Sequence, residues 1–492
     1  MGAVENIRSI AKASIARARL VVASHKKFYV VYVNIVLILA FSYFMIAPPL
    51  VNMLPPDEAS SVSILLGTAM TFSLLGFVYP LFGTISGTLK RPTSFMLGGF
   101  VVKLCICMVL HVAGFFPGMN NFVTDYEYGR QYLEIEILNQ AGTPSAFYYP
   151  PACSLFFVFL YLTNPWKCSL VFCLQMLVFD LGITYMIWKI ASMKLLVKNA
   201  SRAPNALFFY LFSGIQVILV MLYQKFDLFV IFLSLAGIYH VFEEKWFRSA
   251  VFLVTSGFFK IYTFLWIAGV LLMLMKQKRW VAVKNLFVSV LIAGTSLAGL
   301  FYMIEGLQFF TQLFAFGWHF TIWEEAYNLN WGYYLKYLDV PFLNFLPPAL
   351  IIVALVYYIM FRAKDIDVPF FIRITMILLL IYPSVNYSYM IWLIPLIGLD
   401  LTRNVNGYRK ALLSYDLIHV NIDLHAFTWV VIAGLTSSIY VKNVINPGVV
   451  IVLVVRFIII VFMILGTIAY LRAAGGSSMP ERHNTNGRDP AR

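Results

Sequence analysis

The chain has 492 residues, of which 61% are apolar and only 12% charged, about half the roughly 25% charge of a soluble globular protein. That balance excludes a disordered chain, a nucleic-acid-binding domain and an ordinary cytosolic enzyme. The apolar residues number about 300, and a bilayer-spanning helix takes about 20, so the spans are capped near about 15. The runs are too long and continuous for the short alternating segments of a β-barrel. The expected fold is an all-α polytopic membrane protein with about 12–14 transmembrane or re-entrant helices.

The net charge of +14 falls in short Lys/Arg clusters between apolar runs. Lys and Arg retained on the cytoplasmic side of a membrane give this pattern, so the expected partner is the lipid bilayer and not nucleic acid. The five cysteines, Cys105, Cys107, Cys153, Cys168 and Cys173, lie in or beside apolar segments. Their spacing fits neither a zinc site nor a disulfide framework, and they read as small apolar packing residues.

Taken in chain order, residues 1–28 form a basic cytoplasmic segment with Arg8, Lys12, Arg17, Arg19, Lys26 and Lys27. Two helices follow within 29–94, at 29–53 and 61–83. Lys90 and Arg91 mark the inside, and 95–116 run outward to an external loop, 117–148. That loop carries Asp125, Glu127, Glu134 and Glu136 against the single Arg130. Residues 149–164 are expected to run inward and 168–188 outward. Lys189, Lys194, Lys198 and Arg202 would then lie outside, against the charge rule. A re-entrant 204–223 keeps the later basic clusters inside, and such backbone is tolerated where protein buries it or a cavity wets it. Residues 228–242 end at the turn Glu243-Glu244-Lys245, and 249–260 and 261–275 form a pair broken near Lys260. Residues 282–304 lead out to a second external loop, 305–345. Helices at 346–361, 369–384, 387–400, 417–440 and 448–471 complete the C-terminal part. The tail 472–492 is expected to be a disordered cytoplasmic extension.

The polar residues of the two external loops and of the breaks between runs are the candidates for chemistry. Asp125 follows the end of a span by a few residues, and a carboxylate at a membrane surface is ionised at neutral pH and can serve as a general base. It reads equally as a solvated loop acid, as does Glu127. Tyr148 and Tyr149, before Pro150-Pro151, are belt residues or ligands. Gln224-Lys225-Phe226-Asp227 interrupts two apolar runs. Lys260 breaks the run from Ala250 to Met275, where a charge costs about 2.5–3.5 kcal/mol on insertion scales. A buried external lysine suits an anion such as phosphate, whereas a lysine near a span end snorkels. The second loop holds Trp318-His319, Trp323-Glu324-Glu325 and Asn328 to Tyr334. Aromatic faces with Asn and acidic groups suit sugars, and equally an interfacial aromatic belt. Tyr382 to Trp392 opens a span with further polar and aromatic groups.

Asp125-Tyr126-Glu127-Tyr128, Tyr149-Pro150-Pro151, the turn from Gln224 to Asp227 and the later Lys260 occur in an order and spacing that resembles one family. It is the polyprenol-phosphate-mannose-dependent mannosyltransferases of the glycosyltransferase-C superfamily. The likeness covers roughly residues 95–400. It implies a glycosyltransferase-C-like catalytic module over 95–345, with seven spans between two large external loops. It also implies Asp125 as catalytic base, with Glu127, Tyr149, Gln224, Asp227, Lys260 and His319 binding substrate. By the same resemblance, the donor is a polyprenyl- or dolichyl-phosphate sugar and the acceptor a glycan or glycolipid, on the non-cytoplasmic face of a cell or ER membrane. No cofactor and no metal are implied. The alternative is a polytopic transporter or flippase of lipid-linked or small-molecule substrates. Its signatures would be charge pairs within the membrane and paired broken helices in symmetric halves.

Overall fold

The computed structural model describes residues 92–112, 126–137, 151–164, 166, 168–193, 206–207, 210–211, 226–260, 262–306, 309, 346–381 and 391–401. All elements among these residues are helical, and no strand occurs among them. In chain order they are α1 (Pro92–Val112), α2 (126–131, continuing as a π-helical turn over Tyr132–Ile137), α3 (Pro151–Thr163) and α4 (Ser169–Ala191). There follow α5 (Asp227–Phe242), α6 (Trp246–Phe259), α7 (Tyr262–Lys276) and α8 (Trp280–Glu305). The last three are α9 (Leu346–Tyr357, with a π-helical end at Tyr358–Arg362), α10 (Val368–Ile381) and α11 (Ile394–Leu401).

The sequence explains where several of these helices start and stop. Pro92 and Pro151 stand at the first helical position, where a missing N–H costs nothing and the fixed φ is already helical. Gly306, at φ 65° and ψ −142°, closes α8 at a positive φ, a region open to glycine. The α5–α6 and α7–α8 turns end in the same way on Glu244 and Lys278, both at φ 58°. Two helices, Leu170–Ala191 and Trp280–Glu305, are long and apolar enough to cross a membrane. The other apolar helices are shorter.

Contacts between named residues fix the relative directions of the helices. Lys103 of α1 meets Asp180 of α4, and Cys107 meets Cys173, so α1 and α4 are antiparallel. Phe179 packs on Phe229 and Gly182 lies against the Phe232 ring, so α4 and α5 are parallel. Ser234 meets Ser256 and Gly237 faces Leu253, making α5 and α6 an antiparallel hairpin. Arg279 reaches Trp246 while Phe301 stacks with Phe258, so α6 and α8 are parallel. The chain therefore reverses between α6 and α7, at Lys260. A glycine at 237 lets α5 and α6 approach until an added Cβ would collide with the Leu253 side chain, the close backbone approach that small residues permit between helices.

The bundle has two unlike ends. One gathers the turns carrying Lys245, Lys276, Lys278 and Arg279, together with Arg362 and Lys364. Lys276 ties these turns together by donating to the Ile359 and Ala363 carbonyls at 2.8 and 2.7 Å. The other end holds the start of α5, the α6–α7 reversal, the end of α8 and Trp392.

This geometry corrects two expectations. Residues 149–164 do not run inward across the bundle. Cys153, at the start of α3, lies 3.5 Å from the Phe259 carbonyl, and Thr163, at its end, accepts from Gln175 near the start of α4. Both ends of α3, a helix of 13 residues, thus sit at the non-basic end. Residues 204–223 were expected to dip and return, which would have left α4 and α5 antiparallel. The two helices are parallel, so the direction expected for 168–188 is reversed; 204–223 itself lies outside the described residues apart from 206–207 and 210–211. Lys189, in the last turn of α4, accordingly lies at the basic end with the other clusters. The exception to the charge rule came from the direction assigned to 168–188.

Candidate functional site

The α6–α7 reversal brings together two of the residues singled out in the sequence. Lys260 caps α6 in an extended conformation, φ −145° and ψ 118°, with its N–H on the Ser256 carbonyl. Thr263, the second residue of α7, donates its hydroxyl to the Lys260 carbonyl at 3.2 Å. This single extended residue breaks the apolar run and turns the chain back.

Asp227 occupies the first turn of α5 and is 2% exposed. A carboxylate there is favoured by the positive end of the helix dipole. Its Oδ1 accepts from Trp392 Nε1 at 3.2 Å and lies 3.7 Å from Lys260 Nζ. The ammonium also stands 4.9 Å from the centroid of the Phe226 ring, within reach of a cation–π contact. Trp392 is held by Tyr262, whose ring stacks on it at 3.8 Å between centroids. Beneath lies a buried hydroxyl chain. Ser234 meets Ser256 at 2.7 Å and Tyr262 at 3.3 Å, and both serines also donate to the Val230 carbonyl.

Aromatic rings wall this cluster. Phe156 of α3 stacks on Phe229 at 4.7 Å and touches Phe226 and Phe259. Such walls lower the local dielectric, which strengthens charge–charge interactions inside them. The Lys260 side chain is 13% exposed against 2% for Asp227, so the cation faces outward with the carboxylate behind it. The arrangement suits an anion held by Lys260, with Asp227 and Trp392 fixing the lysine in place.

Nearby, α2 lies along α3. Tyr126 is buried and meets Tyr161 edge-on, and Gly129 sits directly on the Phe157 carbonyl. Tyr132 donates to Glu305 at the end of α8, joining the first loop region to the start of the second. Glu127 bonds Arg130, which also bonds Glu134. The Glu127 carboxylate beside Arg130 raises the guanidinium above its ordinary range. Glu127 is thus part of an ion-paired helix face. Asp125, Tyr149, Gln224 and His319 lie outside the described residues. Among the described residues no group of three or more His, Cys, Asp or Glu could hold a metal ion.

A second polar cluster was not singled out in the sequence. Lys103 and Asp180, in the middle of α1 and α4, form an ion pair at 2.7 Å with both side chains 1% exposed. Tyr210 donates to the same carboxylate at 2.8 Å. One turn farther along α1, the Cys107 and Cys173 sulfurs are 2.6 Å apart. The signal was present, because each apolar run contains one charge near its centre, of opposite sign to the other. No family model, curated protein or solved structure matches the chain.

Proposed function

We propose that the protein is a multi-pass membrane glycosyltransferase that moves a hexose, with mannose as first choice, from a polyprenyl- or dolichyl-phosphate donor to a glycan or glycolipid acceptor. The observation that carries this reading is the Lys260–Asp227–Trp392 cluster at the end of the bundle opposite the basic turns. By the positive-inside rule the basic end is cytoplasmic, which puts the cluster on the non-cytoplasmic side of a cell or ER membrane. Two features support the resemblance stated above. The lysine and aspartate that it names are neighbours in space. Both also lie at the end of the bundle opposite the basic turns.

The chemistry divides among few groups. The acceptor hydroxyl oxygen attacks the anomeric carbon and its proton passes to the Asp125 carboxylate. The bond from the anomeric carbon to the phosphate oxygen breaks, and the lipid phosphate leaves with the electron pair. Lys260 stabilises the charge that grows on that phosphate. A phosphate leaves as a stable anion, so the second carboxyl group that a glycosidase needs to protonate its leaving group has no task here. In-line attack inverts the anomeric centre, so a β-linked donor gives an α-linked product. Asp227, buried behind the lysine, orients it. Glu127, Tyr149, Gln224 and His319 complete the substrate contacts in this reading.

The test is a transfer assay in membranes with labelled polyprenyl-phosphate hexoses. Wild-type protein should label an acceptor, and Lys260→Met should raise the donor concentration needed. Donor dependence unchanged in that variant makes Lys260 a snorkelling residue and removes the support.

One observation favours a second reading. The Lys103–Asp180 pair lies midway along two antiparallel helices, as intramembrane charge pairs do in transporters and flippases. Substrate flux into sealed vesicles without sugar transfer, abolished by Lys103→Met combined with Asp180→Asn, which removes both charges and strands neither, would establish that reading in place of the first.

A further inference from the structure

At the basic end, far from Lys260, an open groove of about 520 Å3 lies between the first turns of α6 and α8. Lys245, Trp246 and Arg248 line one side, and Lys284, Asn285 and Val288 the other. Lys245 is paired with Glu243 at 3.0 Å. Among the described residues, no carboxylate lies within ion-pair distance of Arg248 or Lys284. Cations on two different helices therefore share one cleft. Independent snorkelling would spread them around the rim instead.

The groove opens onto an apolar stripe. On α8, Val281, Val288, Leu291 and Ile292 are exposed on one side over about three turns, and Phe247 is exposed on α6. Only 17% of the most apolar window of α8 is buried, so this face of the helix has no protein partner among the described residues. A cationic cleft that continues into an exposed apolar stripe matches a molecule with an anionic head and hydrocarbon chains.

We infer that the α6–α8 groove is a binding site for an anionic phospholipid of the cytoplasmic leaflet, with the phosphate between Arg248 and Lys284 and an acyl chain along α8. Basic pockets between helices at a cytoplasmic surface bind phosphate-bearing lipid headgroups, and Asn285 adds an amide for the glycerol or headgroup oxygens. The site rests on the helices lying in a bilayer and is independent of sugar transfer.

The experiment uses the full chain in nanodiscs made of phosphatidylcholine with a minor fraction of spin-labelled phosphatidylglycerol, and in parallel discs carrying spin-labelled phosphatidylcholine. The expected result is a motionally restricted phosphatidylglycerol population that exceeds the phosphatidylcholine one. R248Q/K284Q should weaken that preference about fivefold per cation, so about 25-fold for the pair. V288E, which places a carboxylate at the groove without removing a cation, should weaken it in the same direction and serves if the double variant does not fold. Equal restriction of both lipids by the wild type overturns the site, as does a preference untouched in these variants. Displacement of the lipid by inorganic phosphate at comparable concentration identifies a soluble-phosphate site and also overturns the lipid assignment.

Discussion

The Lys103–Asp180 pair gives the sharpest test of the packing, because both charges are almost wholly removed from solvent. At 2.7 Å their attraction is about 6 kcal/mol with an effective dielectric near 20. Desolvation of the two ions costs several kcal/mol each, so the pair as a whole contributes close to nothing. Removing one partner is different, since it strands the other charge in an apolar seam. Lys103→Met should therefore destabilise by about 3–5 kcal/mol. Lys103→Met with Asp180→Asn removes both charges and leaves an amide for the Tyr210 hydroxyl, so it should lie within about 1 kcal/mol of wild type. The assay is equilibrium unfolding in mixed micelles, run as a double-mutant cycle. A single variant that costs less than about 1 kcal/mol, or a double variant that costs the sum of the singles, would refute a buried pair joining α1 to α4.

Mild oxidation of the purified protein should cross-link Cys107 to Cys173 within one chain, because their sulfurs lie 2.6 Å apart; peptide mapping reads the product, and its absence would contradict the antiparallel register of α1 and α4. Gly129→Ala should cost roughly 1–3 kcal/mol, since the added methyl meets the Phe157 carbonyl backbone, which cannot swing aside as a side-chain tip can; unchanged thermal unfolding would show that α2 does not lie on α3. Asp125→Asn should lower transfer by roughly 10²–10⁴-fold with insertion intact, and a wild-type rate would end its role as base. Glu243 is held below the ordinary carboxylate range: burial opposes this, but hydrogen bonds from Tyr239, Lys245 and His240 outweigh it. Its folded pKa is depressed, so its stabilisation is full above the ordinary glutamate value and is lost as pH falls through the folded value. Glu243→Gln should destabilise at pH 7, and the gap to wild type should close in acid; a gap independent of pH would count against these bonds.

The residues that break a pattern were the legible part of the site. Lys260 is a charge inside an apolar run, and Asp227 ends a polar interruption, so both stood out before any geometry was known. Lys103 and Asp180 obey the same rule but were absorbed into long runs whose average hydropathy hides one charge. Their partnership depends on α1 and α4 being antiparallel, and hydropathy carries no information on which helices meet. The direction of α3 was misread for a related reason. Ten of its 13 residues are apolar, so it scores like a span, and only the contacts of its two ends separate it from one. Lys189 already signalled the error, because it violated the charge rule in the expected layout and lies at the basic end in the observed one. Cysteine spacing was equally silent on the Cys107–Cys173 contact, which is set by helix register.

The helices that frame Lys260 are short. α5, α6 and α7 have 16, 14 and 15 residues, or about 21–24 Å of rise, whereas α8 with 26 residues reaches about 39 Å. In the proposed membrane placement a hydrocarbon layer of about 30 Å would match neither, and the acyl chains beside the short hairpins would compress. The resulting dimple would draw lipid headgroups down towards the lysine without any helix moving. Hydrophobic mismatch of this kind also sorts proteins towards thinner membranes, giving the bundle a preference of address written in helix length alone.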